Sequence, residues 1–82
     1  MDNRNTIMYN ADKVEKKTTK QLLTEVYDAL EERGYNSIDQ MVGYILSGDP
    51  SYITSNNNAR NTISRLERDD LVEEMLRAFI EK

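Results

Sequence analysis

The chain contains no cysteine and no histidine among its 82 residues. Without thiols it forms neither disulfides nor thiolate metal sites. Without imidazole it lacks the commonest general base and metal ligand, so most enzymatic and metal-centred chemistries lose their usual groups. No stretch approaches the roughly 20 apolar residues of a transmembrane helix, and Met1 to Asn10 lack the apolar segment of a secretion signal. The expected compartment is the cytosol. Glycine is scarce too: Gly34, Gly43 and Gly48 form no phosphate-cradling loop, and no Gly-Lys-Ser/Thr run follows them. No cofactor is expected, and no catalytic residue is assigned.

What is present is polar and charged. At 38 % apolar and 32 % charged residues, the chain is too hydrophobic for full disorder and too polar for a membrane protein. A chain of this size makes one small domain that buries roughly 60 to 65 % of its unfolded surface. The charge is uneven. Residues 1–20 carry five bases (Arg4, Lys13, Lys16, Lys17, Lys20) against three acids (Asp2, Asp12, Glu15), a net of +2, so an overall net of −4 leaves −6 on the rest. An acidic body is repelled by phosphate backbones, which disfavours nucleic acid as a general partner.

Residues 1–17 show no helical or alternating period and read as a flexible N-terminal tail ahead of a domain over 18–82. From Thr18 the pattern changes: Leu22, Leu23, Val26, Tyr27 and Leu30 recur at three and four, Thr18 with Gln21 makes a capping box, and Gly34 stands where a left-handed residue ends a helix. This predicts a helix over Thr19 to Arg33. Ser37 and Gln40 repeat the capping-box pattern before Ile38, Met41, Val42, Ile45 and Leu46, and this second helix should end near Ser47 or Gly48. Asp49-Pro50 either punctuates the chain or opens a short helical turn over Ser51 to Ile53. The polar run from Thr54 to Asn58 is loop or cap. Ala59, Ile63 and Leu66 then predict a third main helix carrying Arg60, Arg65 and Arg68. Asp69 or Asp70 is placed to cap the last helix, where Leu71, Val72, Met75, Leu76, Phe79 and Ile80 form a wide apolar stripe. The expected fold is all-α: a small compact domain of four main helices, with or without one extra turn. Such short helices depend on packing. The last one shows more apolar surface than a single neighbour covers, which favours a homodimer over burial in a monomer core.

Three groups of residues are candidates for function. The carboxylates Glu67, Asp69, Asp70, Glu73 and Glu74 lack the spacing of a calcium loop and sit at a helix start, where the dipole favours acids; capping and solvation account for them. The arginines are more informative. On one continuous helix Arg65 and Arg68 stand three apart and Arg60 lies about 80° from Arg68, so all three face one ligand, a carboxylate or a phosphate suited to guanidinium forks. The alternative is that Arg65 and Arg68 pair with Glu67, Asp69 and Asp70 and serve only solubility. Thr6 is the third candidate, an accessible hydroxyl in the basic tail. A phosphate there adds about −1.5 to −2 charge and offers acceptors to an arginine cluster. Thr18, Thr19, Thr24, Thr54 and Thr62 compete with it.

The stretch Val26 to Asn36, the run Val42-Gly43-Tyr44-Ile45-Leu46-Ser47-Gly48-Asp49-Pro50-Ser51-Tyr52-Ile53, then Ala59-Arg60 and Arg65-Leu66-Glu67-Arg68-Asp69 resemble the IreB/ReoM family of small regulatory phosphoproteins of Gram-positive bacteria, over essentially the whole chain. The resemblance implies an all-α cytoplasmic homodimer without enzymatic activity. It implies a substrate of the membrane-anchored Ser/Thr kinase with extracellular PASTA repeats, and of its phosphatase, that acts on cell-wall homeostasis and on resistance to wall-active antibiotics. In related members the unmodified form promotes Clp-protease turnover of the enzyme that commits precursors to peptidoglycan. By the same resemblance Thr6, followed by Ile7-Met8-Tyr9-Asn10, matches the phosphoacceptor, and Arg60, Arg65 and Arg68 match the family's arginines. The chain departs from the pattern where Thr54-Ser55-Asn56 replaces Pro-Arg-His and Ser64 replaces one arginine of a pair, which removes two positive charges.

A different class remains beside this one. Thr62 to Val72 is similar to a helix-turn-helix recognition segment, with Arg60 and Arg65 able to read guanine edges. The acidic body and the lack of a strand pair for a wing stand against it.

Overall fold

The computed structural model describes residues 17–81. Four α-helices follow one another, α1 (Thr19–Glu32), α2 (Ser37–Ser47), α3 (Ala59–Ser64) and α4 (Arg68–Ile80), with 3-10 turns at Pro50–Tyr52 and Asn56–Asn58 between α2 and α3. The described residues contain no strand.

Helix α1 starts as its sequence dictates. The Gln21 amide donates to Thr18 Oγ1 at 3.1 Å and the Thr18 amide to Gln21 Oε1 at 2.8 Å, so two orphan donors of the first turn are satisfied reciprocally. Its end is a Schellman motif: Gly34, at φ +79°, donates to Glu31 O at 3.0 Å, and Tyr35 donates to Leu30 O at 3.1 Å. The stripe buries Val26, Ala29 and Leu30.

Helix α2 begins differently from expectation. Asn36 is the cap, its Oδ1 accepting from the Asp39 amide at 3.2 Å. Ser37 turns inward instead, 1 % exposed, and donates to Glu31 Oε2 at 2.7 Å. Gln40 also leaves the cap and donates through Nε2 to Tyr52 O at 2.8 Å. Asparagine caps at least as well as serine, so both side chains are released for tertiary bonds. The buried apolar residue of α2 is Tyr44, while Ile38, Val42 and Leu46, one face at intervals of four, are exposed.

The turn after α2 rests on two close approaches. A Cβ on Gly43 would lie 2.5 Å from the Tyr52 ring, so only glycine lets that ring lie on the helix. Gly48, left-handed at φ +76°, ends α2, and a Cβ there would lie 2.7 Å from Cζ of Arg68. Asp49 then opens the Pro50 turn by accepting from the Ser51 amide at 2.9 Å. That bond, with the Ser51 hydroxyl, holds the Asp49 carboxyl below its usual range.

The predicted third helix is shorter than its periodicity implied. It stops at Ser64 after six residues, tightened by i to i+3 bonds from Arg65 to Thr62 O and from Leu66 to Ile63 O. Glu67 is extended, and α4 starts afresh at Arg68. The break lets Ile63 and Leu71, both fully buried, reach one core from two directions. Neither Asp69 nor Asp70 caps α4: Glu67 holds that position without a side-chain bond, and both aspartates lie in the first turn.

The core gathers Val26, Ala29, Leu30, Tyr44, Ile53, Ala59, Ile63 and Leu71. We expect Leu30→Ala to cost about 2 to 5 kcal/mol, through lost burial and the cavity it leaves. Leu46→Ala, on a side chain 79 % exposed, should stay within about 0.5 kcal/mol. Urea denaturation of the two variants checks both; equal losses would contradict this core.

Candidate functional site

The segment between α2 and α3 is fastened to the end of α1 by side-chain amides. Asn56 Nδ2 donates to Ala29 O at 3.0 Å and to Glu32 Oε1 at 3.1 Å, and Asn57 Nδ2 reaches the same carboxylate oxygen at 3.1 Å. Asn57 and Asn58 both take left-handed backbone, φ 52° and 63°, a conformation asparagine adopts more readily than most residues. This twist delivers Arg60, the second residue of α3, back against the segment, where its Nε donates to Ile53 O at 2.8 Å.

The result is a cleft of about 290 Å³ between the end of α1, α2 and this segment, lined by Arg33, Tyr35, Tyr52, Thr54, Ser55 and Arg60 among others. No carboxylate lines it. Arg33 has no place among the candidate residues read from the sequence. The signal for it was a cation one residue before Gly34, at a helix end that the loop of residues 49–58 folds back to meet.

The other arginines go elsewhere. Arg65 ends α3, exposed, and its side chain makes no hydrogen bond or ion pair to the described residues. Arg68 is the first residue of α4, and its Nη1 donates to Ile45 O at 2.9 Å, tying the start of α4 to the end of α2. The expectation of one helix face for Arg60, Arg65 and Arg68 is thus corrected, because the chain changes direction between Ser64 and Arg68. Pairing of Arg65 or Arg68 with Glu67, Asp69 or Asp70 is also not seen among the described residues; the ion pairs of α4 join Arg77 to Glu73 and Glu81, at 3.1 and 3.2 Å. A six-residue α3 gives little support to a groove-reading helix. No cluster of three or more potential metal-binding carboxylates occurs among the described residues, and none of their helices is long and apolar enough to cross a membrane. Thr6 lies outside the described residues.

The stripe of α4 divides. Leu71 belongs to the core, whereas Val72, Met75, Leu76, Phe79 and Ile80 are exposed, Leu76 by 53 % and Ile80 by 70 %. A shallow groove on one side of α4 is lined by Val72, Leu76 and Ile80. On its other side, Met75 shares a second, mainly apolar groove with Leu23, Tyr27, Ile38 and Met41.

Residues 4–81 match the model of the IreB regulatory phosphoproteins. The chain belongs to the IreB family. That is a family of regulatory phosphoproteins, not an enzyme class. Among its relatives, a protein of Acetivibrio thermocellus named "UPF0297 protein" is 51 % identical over 82 residues, covering 100 % of this chain and 91 % of the relative. One of Ruminiclostridium cellulolyticum with the same name is 53 % identical over 76 residues, 93 % of this chain and 86 % of the relative. The family match includes Thr6 and every arginine discussed above.

The different surroundings of two arginines in this IreB-family chain give a direct test. Arg68→Ala removes the bond to Ile45 O and should cost about 1 kcal/mol or more. Arg65→Ala should stay within about 0.5 kcal/mol. Thermal melts at matched concentration measure the difference, and equal melting temperatures would remove the structural role given to Arg68.

Proposed function

We propose that this chain is a cytoplasmic, non-enzymatic regulatory phosphoprotein whose modification at Thr6 by a PASTA-type membrane Ser/Thr kinase, reversed by a phosphatase, changes its binding to a partner. The output on this reading is cell-envelope homeostasis and resistance to wall-active antibiotics in a Gram-positive cell, through Clp-dependent turnover of a peptidoglycan precursor enzyme. The observation that carries the reading is the family match across residues 4–81, which spans both the tail threonine and the arginines. Electrostatics supports it. The first 20 residues are net +2 against −6 for the rest, so a phosphate dianion on Thr6 neutralises the basic segment and alters its attraction to the acidic body, biasing a binding equilibrium without refolding the domain. In this proposal Arg60, Arg65 and Arg68 contribute to partner binding, with Arg65 the most available and Arg68 also engaged in the fold.

The proposal includes a homodimer. Leu76, Phe79 and Ile80 on α4, together with Ile38 and Val42 on α2, are apolar and more than a third exposed in the single chain, more than a small monomer ordinarily leaves in water. Sedimentation of the wild type should show a species of about twice 9.6 kDa. The double variant Leu76→Glu with Ile80→Glu should sediment as a monomer and keep its helical circular dichroism. A wild-type monomer at all concentrations would end the dimer reading.

The switch is tested in cells. Thr6→Ala should abolish kinase-dependent phosphorylation seen by fragment mass spectrometry, leave fold and oligomeric state unchanged, and behave like loss of the kinase in this branch. If phosphate and envelope phenotype both persist in that variant, the acceptor is another residue, with Thr18 and Thr19 next in line.

A further inference from the structure

The body of this protein is acidic, yet the cleft at the end of α1 is lined by two arginines and no acid. Arg60 is held by one edge only. Its Nε is committed to Ile53 O, and neither terminal nitrogen bonds to a described residue. Arg33 has no ion pair or side-chain hydrogen bond among the described residues. The neighbouring groups add donors. The Ser55 hydroxyl makes no hydrogen bond among the described residues, and the Thr54 hydroxyl accepts from the Asn56 amide at 3.1 Å, so its own proton is free to be given. The negative groups at this end of α1 are hydrogen-bonded by the chain itself, which lowers without cancelling their repulsion of an anion. The last carbonyls of α1, the negative end of its dipole, bond to Gly34, Tyr35 and Asn56, and Glu32 accepts from both Asn56 and Asn57.

From this geometry we infer that the cleft between Arg33 and Arg60 is a binding site for a phosphate monoester on a threonine or serine side chain. Two guanidinium forks and two hydroxyls match the charge of about −2 and the three acceptor oxygens of such a group better than they match a single carboxylate. The volume fits as well: about 290 Å³ lies at the small end of ligand pockets and is enough for one modified side chain. The inference rests on the phosphoprotein reading and adds to it a reader for the phosphate. The phosphate has two available sources, Thr6 of this chain or another phosphorylated protein. The first is within reach. The twelve residue steps from Thr6 to Thr18 span up to ~40 Å when extended, whereas α1, which separates Thr18 from the cleft, is only ~21 Å long at 1.5 Å per residue.

The test uses the unmodified, isotope-labelled full chain titrated at constant ionic strength with N-acetyl-phosphothreonine amide, and in parallel with the unphosphorylated compound and with N-acetyl-aspartate amide. Saturable shifts of the Thr54, Ser55 and Asn56 amides with the phosphorylated compound alone are expected. Arg33→Gln and Arg60→Gln should each weaken binding about tenfold or more, as loss of a charge-assisted contact does, and Arg77→Gln, on α4 and outside the cleft lining, should leave it unchanged. Because Arg60 also holds Ile53, Arg33→Gln is the deciding variant. No saturation, equal binding of all three compounds, or indifference to Arg33→Gln overturns the site. A final arm uses chain phosphorylated at Thr6. Shifted cleft amides and loss of binding to the added compound identify the chain's own phosphate as the occupant; a cleft that still titrates identifies a phosphate from another protein, and the site stands in either case. A cleft that binds phosphothreonine in a chain whose Thr6 no kinase modifies would keep the site and overturn only the Thr6 switch.

Discussion

Ile53 is fully buried although it lies in a loop, outside any helix, and much of the architecture follows from keeping it there. Its carbonyl goes into the protein with its side chain, and a buried acceptor left unpaired costs about 1 to 3 kcal/mol. Arg60 supplies the donor. To bring Arg60 round, the chain passes through two left-handed asparagines. To hold the loop closed, Asn56 and Asn57 bond to the end of α1, and Gln40 bonds to Tyr52. The Tyr52 ring in turn requires a glycine at position 43. A single apolar anchor in irregular chain therefore fixes the identities of residues on α1, α2 and α3.

That dependence explains which parts of the sequence could be read in advance. The capping box at Thr18, the left-handed Gly34, the end of α2 near Gly48, and the apolar periods of α1 and α4 are local signals, decided by a few neighbouring residues, and the structure has them. The start of α2 was misread because Asn36 and Ser37 both cap well; which one does so was decided by Glu31, six residues away, which takes the Ser37 hydroxyl. The third helix is shorter than the spacing of Ala59, Ile63 and Leu66 implies, because the chain leaves the α-helix at Ser64 although Leu66 keeps the period. Periodicity records which residues are buried but not whether the axis turns between them. Arg33 was overlooked for a related reason: its importance lies in a neighbour, Arg60, that is remote in sequence.

The arginines show how one residue type divides its work in a small domain. Arg68 lies against Gly48 and closes the corner between α2 and α4, so its charge is tied to a backbone carbonyl. The Arg65 guanidinium is bound to nothing among the described residues and faces water. Arg60 combines the two states, one edge serving the fold and the other facing the cleft, an economy that the planar, multi-donor guanidinium permits and a lysine ammonium does not.

The departure from the family pattern at Thr54-Ser55-Asn56 takes on a physical meaning in this setting. Asn56, where the resemblance leads one to expect a basic or aromatic ring, covers the Ala29 carbonyl and the Glu32 carboxylate with one amide. A histidine offers one or two ring donors pointing in fixed, opposed directions, whereas the two amide hydrogens of asparagine diverge from a single nitrogen and reach both acceptors. Ser55, where the resemblance leads one to expect an arginine, lines the cleft with a shorter side chain and a neutral donor. The chain has thus exchanged charge for fastening along this loop, and the cationic lining of the cleft is Arg33 and Arg60, one at the end of α1 and one on α3. Binding that depends on two charges held by separate elements is sensitive to how firmly those elements are joined. The amides of Asn56 and Asn57, which carry no charge and fasten the loop to the end of α1, therefore set the spacing on which the two arginines act together.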